Sequence, residues 1–416
     1  MAIWINTLVM KEINGQLYIE KIPALDLAKE YGSPCFVYSS EIIKNNFLKY
    51  KQEIRNDDLI CYAVKANSNL RILKFLAELG SGFDVVSGNE LKRCLIAGAD
   101  RNKIVFSGVG KSFEEIEYAI NNDILSINIE SVGEFRRIAE IANSLKKTVN
   151  CALRVNPDIT INSHKYIETG SKTSKFGLDN QSIQEISKLS LKDKFIKITS
   201  VACHIGSQIS DENLILKSLQ CIKDVANNLE KNGHHIEFLD IGGGFGIRYK
   251  DENEIDHKVL LDKVKDRIGD LSYKLILEPG RSIIGASGIL VTKIEYIKDA
   301  GNKKFAIIDA GMNDLIRPSL YEAWHEVKEV VKKDLDSYTY DLAGPVCETG
   351  DVLAKDRKLK VLPGDYVALM DVGAYGSVMS SNYNSRLKPV ELLVIDDKVE
   401  VIKRKESFEE MITLES

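Results

Sequence analysis

The chain has 416 residues, which is longer than one compact domain usually runs and predicts two domains. Its 56 Lys and Arg against 61 Asp and Glu give a net charge of -5, with both signs scattered along the sequence. This balance argues against a nucleic-acid surface, and the 7 dispersed cysteines, without a CxxC pair, argue against a disulfide framework or a metal site. A poor signal sequence and the absence of a long apolar run predict a cytoplasmic protein that does not enter membranes.

Before residue 34 the chain predicts one or two short strands and a helix from Pro23, and after it strands and amphipathic helices alternate regularly. Eight apolar runs have the length of buried strands: 59–64, 82–86, 103–106, 124–129, 150–155, 197–204, 236–241 and 274–278. Ser112 with Glu115, and Ser131 with Glu134, are typical of capping boxes at helix starts. Eight strand–helix units over about 250 residues favour a (β/α)8 barrel over a doubly wound sheet, which rarely needs so many parallel strands.

The region after Gly285 has a different pattern. Short β-rich runs are separated by Gly, Pro and Asp turns with few helical patterns between them, at 288–296, 304–308, 338–342, 366–370, 392–395 and 399–403. We therefore predict an α/β barrel domain at 34–285 and a mainly-β second domain at 286–416. Residues 1–33 are grouped with the second domain because their strands can fold into it.

Lys65 stands where the first predicted barrel strand ends. An ammonium group there is costly to bury unless it is paired or neutral, and a lysine becomes neutral when it forms an imine with an aldehyde. A lysine that simply extends into solvent is the plainer alternative. The other strand ends decide between them, because a barrel of this kind carries its reactive groups at the C-terminal ends of its strands.

A glycine-rich loop, residues 242–246, follows the seventh predicted strand. Its exposed backbone N–H groups are typical of a phosphate site, and barrels often bind phosphate after strands seven and eight. It is not a dinucleotide fingerprint, because the third glycine of GxGxxG would fall at Ile247. A tight turn without a ligand is the alternative.

His204 and Glu278 follow the sixth and eighth predicted strands. A histidine there can lie flat against a planar ligand, although a lone histidine is more often structural. A carboxylate bonded to a pyridine nitrogen keeps that nitrogen protonated and strengthens the ring as an electron sink. Together with Lys65 and the glycine loop, these residues predict a site for pyridoxal 5'-phosphate.

The sequence also resembles the diaminopimelate decarboxylase family, which are pyridoxal-phosphate enzymes of fold type III. The resemblance covers essentially the whole chain through ten motifs in family order: YAVKANSN, DVVSGNEL, FSGVGKS, HKYIETG with SKFG, CHIGSQ, LDIGGGFGI, EPGRS, DAGMNDLIRPSLY, GPVCETGD and GAYGSVMSSNYNSR. Asn89 departs from it, since the family usually has a second glycine there.

The resemblance implies a role for each matching residue. Lys65 forms the imine with the cofactor, His204 stacks on its ring and Glu278 meets its ring nitrogen. The phosphate is held by Ser207, Gly243, Gly244, Phe245, Gly246 and Tyr375, and the substrate by Arg281, Arg317, Tyr321, Glu348 and Tyr375. Cys347 is the catalytic acid, delivered from the partner subunit of a homodimer that shares its active sites.

The predicted reaction is the decarboxylation of meso-2,6-diaminopimelate to L-lysine and CO2, the last step of lysine biosynthesis. A substrate with an amino acid group at each end needs both a cation and an anion at its far end, which Arg281, Arg317 and Glu348 supply. Decarboxylases of ornithine, arginine or carboxynorspermidine remain alternatives, as does an inactive pyridoxal-phosphate-binding regulatory protein. An amino acid racemase is disfavoured, since that group places an arginine where this chain has Glu278.

Overall fold

Residues 9–159, 175–269 and 273–415 are described by a computed structural model, in which the chain divides into two units. The barrel unit consists of the described residues of 47–246 and 253–281. The β unit consists of the described residues of 1–46, 247–252 and 282–416. The motif HKYIETG, residues 164–170, lies outside the described residues.

The N-terminal segment supplies the first strands and helices. These are β1 (Met10–Ile13), β2 (Gln16–Ile19), β3 (Ile22–Pro23), α1 (Ala24–Tyr31), β4 (Cys35–Ser39) and α2 (Ser40–Lys51). The first three strands form an antiparallel sheet. β2 also bonds to a later segment of the β unit, since the Leu17 N–H donates to the Val330 carbonyl at 2.9 Å. Every residue of β4 is buried, because this strand lies inside a larger sheet of the β unit.

The barrel unit is organised around eight parallel strands that close into a barrel within its described residues. They are β5 (Leu59–Ala63), β6 (Gly82–Val85), β7 (Ile104–Phe106), β8 (Ser126–Ile129), β9 (Val149–Arg154), β10 (Ile196–Ala202), β11 (Phe238–Asp240) and β12 (Lys274–Leu277). Most residues of these strands are apolar and buried, because side chains fill the inside of the barrel and helices cover its outside. The predicted (β/α)8 barrel is confirmed, and each strand overlaps its predicted run.

Helices connect these strands. They are α3 (Leu70–Glu78), α4 (Gly88–Ile96), α5 (Phe113–Asn121), α6 (Val132–Leu145), α7 (Asn180–Ser190), α8 (Glu212–Lys231) and α9 (His257–Ile268). The predicted capping box of Ser112 and Glu115 is present at α5. Ser131 caps α6, but Glu134 instead accepts from the Glu130 N–H and pairs with the buried Lys111. No helix among residues 9–159, 175–269 and 273–415 combines the length and apolarity needed to span a membrane.

The β unit contains a nine-stranded sheet built around β4. Its C-terminal elements are α10 (Arg281–Ile284), β13 (Gly288–Asp299), β14 (Lys304–Ile308), α11 (Arg317–Tyr321), β15 (Val327–Glu329), β16 (Tyr338–Ala343), β17 (Val352–Leu359), β18 (Tyr366–Leu369), β19 (Val390–Ile395), β20 (Lys398–Lys403) and α12 (Phe408–Ile412). The sheet order β17-β16-β14-β13-β4-β19-β20 places β4 between β13 and β19. The predicted mainly-β second domain is confirmed, and Cys35–Ser39, inside the range predicted for the barrel domain, pairs within this sheet.

Candidate active site

Lys65 lies at the mouth of the barrel, in a single 3-10 turn, Val64–Ala66, that directly follows β5. Its Nζ is 2.6 Å from Oδ2 of Asp84, the penultimate residue of the neighbouring strand β6. The Asp84 carboxylate is fully buried, whereas the Lys65 side chain is 33% exposed. The buried carboxylate therefore holds the amine in place while leaving it open to a reactant.

His204 follows β10 on the same barrel and its ring is oriented by the glycine loop. The Gly243 N–H donates to Nδ1 at 3.2 Å, so this nitrogen carries the lone pair and a neutral ring has its proton on Nε2. Burial, together with the positive charges of Lys65 and Arg154, holds the pKa of His204 well below its usual value. The imidazole is therefore neutral at physiological pH.

Three positions of the loop 242–246 require glycine: Gly242, Gly243 and Gly244. A Cβ at Gly243 or Gly244 would lie 2.0 or 2.1 Å from a backbone carbonyl oxygen, and Gly244 has a φ of +89°. The loop is bonded to the segment after β10, since the Ile209 N–H donates to the Gly244 carbonyl at 2.8 Å and the Gly246 N–H donates to the Ile209 carbonyl at 3.1 Å. The glycines are therefore required for this close backbone packing.

Glu278 directly follows β12 and forms a buried acidic cluster with Asp84 and Asp240. Burial and the two neighbouring carboxylates raise the pKa of Glu278 well above its usual value. Among the described residues, no group bonds to its buried Oε1. Because an unpaired buried carboxyl oxygen is costly, this atom marks the position of a missing donor.

Two further predicted residues of the barrel unit contact each other. Arg281, at the start of α10, donates from Nη2 to the Ser207 hydroxyl at 3.1 Å. The arginine is buried, so its guanidinium brings fixed positive charge close to a hydroxyl that follows His204. A cation and a hydroxyl at this distance are suited to an anion such as a phosphate or a carboxylate.

The remaining predicted residues belong to the β unit. Cys347 and Glu348 are exposed on a turn that Asp351 stabilises by accepting from the Val346 N–H at 2.7 Å. The Cys347 N–H donates to Oδ1 of Asn384 at 3.0 Å, and Glu348 accepts from the Tyr383 hydroxyl at 2.5 Å. These bonds fix the backbone at the thiol and the direction of the carboxylate.

Arg317, Tyr321 and Tyr375 complete the predicted set in the same unit. Arg317 begins the short helix α11, is buried, and lies 3.0 Å through Nη1 from the ring of His325. Tyr321 ends that helix. Tyr375 has a φ of +57°, which is uncommon for a bulky residue and concentrates at functional sites.

The comparison with known proteins identifies the family. A family described as "Pyridoxal-dependent decarboxylase, pyridoxal binding domain" matches residues 40–285. The diaminopimelate decarboxylase of Aquifex aeolicus is 43% identical over 401 residues, which cover 96% of this chain and 95% of that protein. The chain belongs to the diaminopimelate decarboxylase family.

Solved structures support the assignment to the diaminopimelate decarboxylase family. The enzyme from Helicobacter pylori, complexed with L-lysine, matches with a TM-score of 0.91 and 42% identity over 94% of this chain and 98% of that one. The enzyme from M. jannaschii, in co-complex with L-lysine, matches with a TM-score of 0.93 and 36% identity over 99% and 98%. The predicted family and fold are therefore confirmed.

Pyridoxal phosphate is the cofactor of this family, and the barrel unit fits it. Among the described residues, no donor bonds to the buried Oε1 of Glu278. A protonated ring nitrogen would supply that donor. Four of the five residues of the loop 242–246 are glycines, so little but backbone is presented there, as a phosphate site requires. Lys65 places a primary amine on the same rim of strand ends.

Three polar residues of the barrel rim were not assigned roles from the sequence: Asp84, Arg154 and Asp240. Asp84 pairs with Lys65, and Arg154 pairs with the buried Glu130 at 2.6 Å. Asp240 accepts from the Gly242 N–H at 2.8 Å. Each one ends or nearly ends a barrel strand, so the rule that placed Lys65 and Glu278 on the rim identifies them as well.

Asp240 makes the stability of the cofactor-free enzyme depend on pH. Burial raises the pKa of Asp240 to about 7, from an ordinary value of 3.8. Between these two values the unfolded chain releases this proton while the folded protein keeps it, so rising pH favours unfolding. Asp240→Asn has no proton to release at this position. We therefore expect the free energy of unfolding of wild type to fall, relative to that of Asp240→Asn, by about 3 kcal/mol as the pH rises from 5 to 8.

Thermal unfolding of both proteins across this pH range measures the effect. Asp262→Asn is the matched control, because Asp262 is an exposed carboxylate paired with Lys265 on helix α9 and its pKa lies below the ordinary value. Parallel pH profiles for wild type and Asp240→Asn would contradict the prediction.

Proposed function

We propose that the chain decarboxylates meso-2,6-diaminopimelate and releases L-lysine and CO2. The observation that carries this proposal is the full-length similarity to diaminopimelate decarboxylases, with 43% identity over 96% of the chain. The solved enzymes complexed with L-lysine agree with it, since L-lysine is the expected product.

We assign the cofactor to the residues that were predicted from the sequence to bind it. Lys65 would bind its aldehyde carbon, His204 would lie against its ring, and Glu278 would accept a hydrogen bond from its protonated ring nitrogen. We assign the phosphate to Ser207, Tyr375 and the glycine loop. Since Gly243 and Gly246 donate their N–H groups within the protein, the loop contributes mainly through Gly244 and Phe245.

When bound, pyridoxal phosphate supplies a protonated ring that accepts the electron pair left behind as the substrate carboxylate departs as CO2. The residues of the chain prepare and complete that step. Glu278 keeps the ring nitrogen protonated, because the buried carboxylate of Glu278 and the positively charged nitrogen stabilise each other. Asp84 directs the amine of Lys65, and neutral His204 adds no positive charge to the ring face.

Cys347 is proposed as the acid that protonates the substrate carbon after CO2 has left. Its turn is fixed by Asp351 and Asn384, so the thiol can be presented at a defined position. We assign this thiol to the active site of the partner subunit in a homodimer, as the family resemblance implies. The cytoplasm is the proposed location, which suits a chain whose cysteines are all free.

The far end of the substrate carries one carboxylate and one ammonium group. We assign the carboxylate to Arg281, Arg317 and Tyr321, and the ammonium to Glu348. Substrates such as ornithine have only an ammonium group at that end and do not need an arginine pair. The two buried arginines therefore favour diaminopimelate over ornithine or lysine as substrate.

The purified enzyme loaded with pyridoxal phosphate provides the direct test. We expect CO2 and L-lysine from meso-diaminopimelate, and at least about a hundredfold lower kcat/KM with ornithine, arginine or carboxynorspermidine, whose far ends offer no carboxylate to the arginines. Comparable CO2 release from any of these substrates would reject the substrate assignment. The absence of CO2 from all four would reject the enzyme assignment in favour of a binding protein.

A further inference from the structure

His325 is a fully buried histidine of the β unit that none of the roles above uses. It lies eight residues after Arg317, beyond the end of helix α11. Its ring is 0% exposed and contacts polar groups through both nitrogens. Nδ1 lies 2.7 Å from the Met370 carbonyl oxygen, and Nε2 lies 3.0 Å from Nη1 of Arg317.

These two contacts define which nitrogen carries the proton. A carbonyl oxygen can only accept, so Nδ1 of His325 must be the donor to Met370. In the neutral ring Nε2 then has the lone pair, and it accepts from the guanidinium of Arg317. The Met370 carbonyl therefore selects the tautomer that binds the arginine.

Tyr249 holds the same arginine from a second direction. The guanidinium carbon of Arg317 lies 4.7 Å from the centre of the Tyr249 ring, within the range of a cation–π contact. The His325 ring meets that tyrosine edge-on, with ring centres 5.5 Å apart and planes at 84°. Tyr249 thus sets the plane of the guanidinium, and His325 sets its rotation within that plane.

The backbone of His325 is also fixed. Nη2 of Arg357 donates to the His325 carbonyl at 3.1 Å, and the same guanidinium lies 4.7 Å from the ring centre of Trp324. Since main chain and ring are both held, His325 can transmit a defined orientation to its partner. A histidine that served only to fill space would not need a tautomer-specific bond to a buried cation.

We propose that His325 is a positioning residue for substrate recognition: it orients Arg317 toward the far carboxylate of diaminopimelate. This inference rests on the proposed function, which assigns Arg317 to that carboxylate. With Nη1 taken by His325 and one face covered by Tyr249, the guanidinium presents its remaining N–H groups in one fixed direction. Fixed N–H groups favour a carboxylate over an ammonium group at the far end of the substrate.

Two substitutions separate the two bonds of the ring. His325→Gln places an amide oxygen near the position of Nε2 and so keeps an acceptor for Arg317. His325→Asn is shorter, and its amide can replace the donor to Met370 while removing the acceptor that Nε2 of His325 gives to Arg317. His234→Gln is the matched control, because His234 is a partly buried histidine of the barrel unit that bonds Ser187 at 2.8 Å and has no role in the proposed site.

The holoenzyme variants are compared with meso-diaminopimelate as substrate and 1,5-diaminopentane as a ligand that lacks both carboxylates. For His325→Asn we expect KM for diaminopimelate to rise about tenfold while kcat stays within about threefold. The dissociation constant of 1,5-diaminopentane, measured from the cofactor absorbance, should change less than about twofold because Arg317 has no carboxylate to meet. His325→Gln should keep KM within about threefold of wild type.

Turnover of diaminopimelate by wild type tests the proposed function separately, and its absence would overturn both proposals. If wild type is active, an unchanged KM in His325→Asn overturns the positioning role alone. Equal weakening of both ligands, a parallel loss in His325→Gln, or a loss that simply follows a lower melting temperature shows a general structural role and overturns it too.

Discussion

Lys65→Ala is expected to lower turnover by on the order of a thousandfold or more, because it removes the amine that we propose binds the cofactor aldehyde. Asp84 holds the Lys65 amine at 2.6 Å in the mouth of the barrel, and alanine leaves that buried carboxylate unpaired. The variant should therefore also lose the absorbance of the bound cofactor and part of its stability. Lys92→Ala, at an exposed lysine of helix α4, is the control and should behave like wild type.

Borohydride reduction of the wild-type holoenzyme followed by peptide mapping identifies the modified lysine directly. Cofactor attached to a peptide without Lys65, or substantial turnover by Lys65→Ala, would reject the assignment.

The Lys65→Ala variant also tests the shared active site of the proposed homodimer. When Lys65→Ala and Cys347→Ala are mixed, half of the dimers are hybrids with one intact site, so about one quarter of wild-type activity should return.

Glu278→Gln should lower kcat by about a hundredfold to a thousandfold with a smaller change in KM, since glutamine cannot keep a ring nitrogen protonated. This carboxyl is buried directly after β12, and no group in the described part of the chain bonds to its Oε1. Its pKa is raised by burial and by Asp240 and Asp84, so a cation bound beside it, such as a protonated ring nitrogen, would favour its charged form.

Glu237→Gln provides the matched control for Glu278→Gln. Glu237 is a half-exposed carboxylate of the same unit that pairs with Lys274 at 2.8 Å. Steady-state kinetics with saturating cofactor, together with the absorbance of the bound cofactor, separate loss of chemistry from loss of binding. A Glu278→Gln enzyme that keeps more than about one tenth of wild-type kcat would contradict the role of this carboxylate.

The barrel could be predicted from the sequence because its strands are short apolar runs at regular intervals. Each predicted run overlaps one strand of the barrel. Two strands in the part of the β unit after residue 282 were missed, and β17 shows why. Its residues Val352–Leu359 carry four charged side chains, which suit an exposed strand at the edge of a sheet but hide the apolar alternation. The short β15 (Val327–Glu329) has too few residues to form a pattern.

The candidate site was predictable in part. Lys65, His204 and Glu278 follow strands directly, so their place on the barrel rim follows from strand ends alone. Residues that act through a partner leave no such signal: His325 lies after a short helix, and its importance depends on which groups its two nitrogens meet. The assignment of Cys347 and Glu348 to a site shared between subunits stays a prediction.

The position of β4 within the β unit has a consequence for synthesis on the ribosome. This strand leaves the exit tunnel long before β13 and β19, yet it bonds to both of them along its two edges. Until they are made, the nascent chain exposes an apolar strand with two open edges, a template for aggregation. We therefore expect the barrel to mature first, with the growing polypeptide depending on chaperones until its last sheet closes around that early strand.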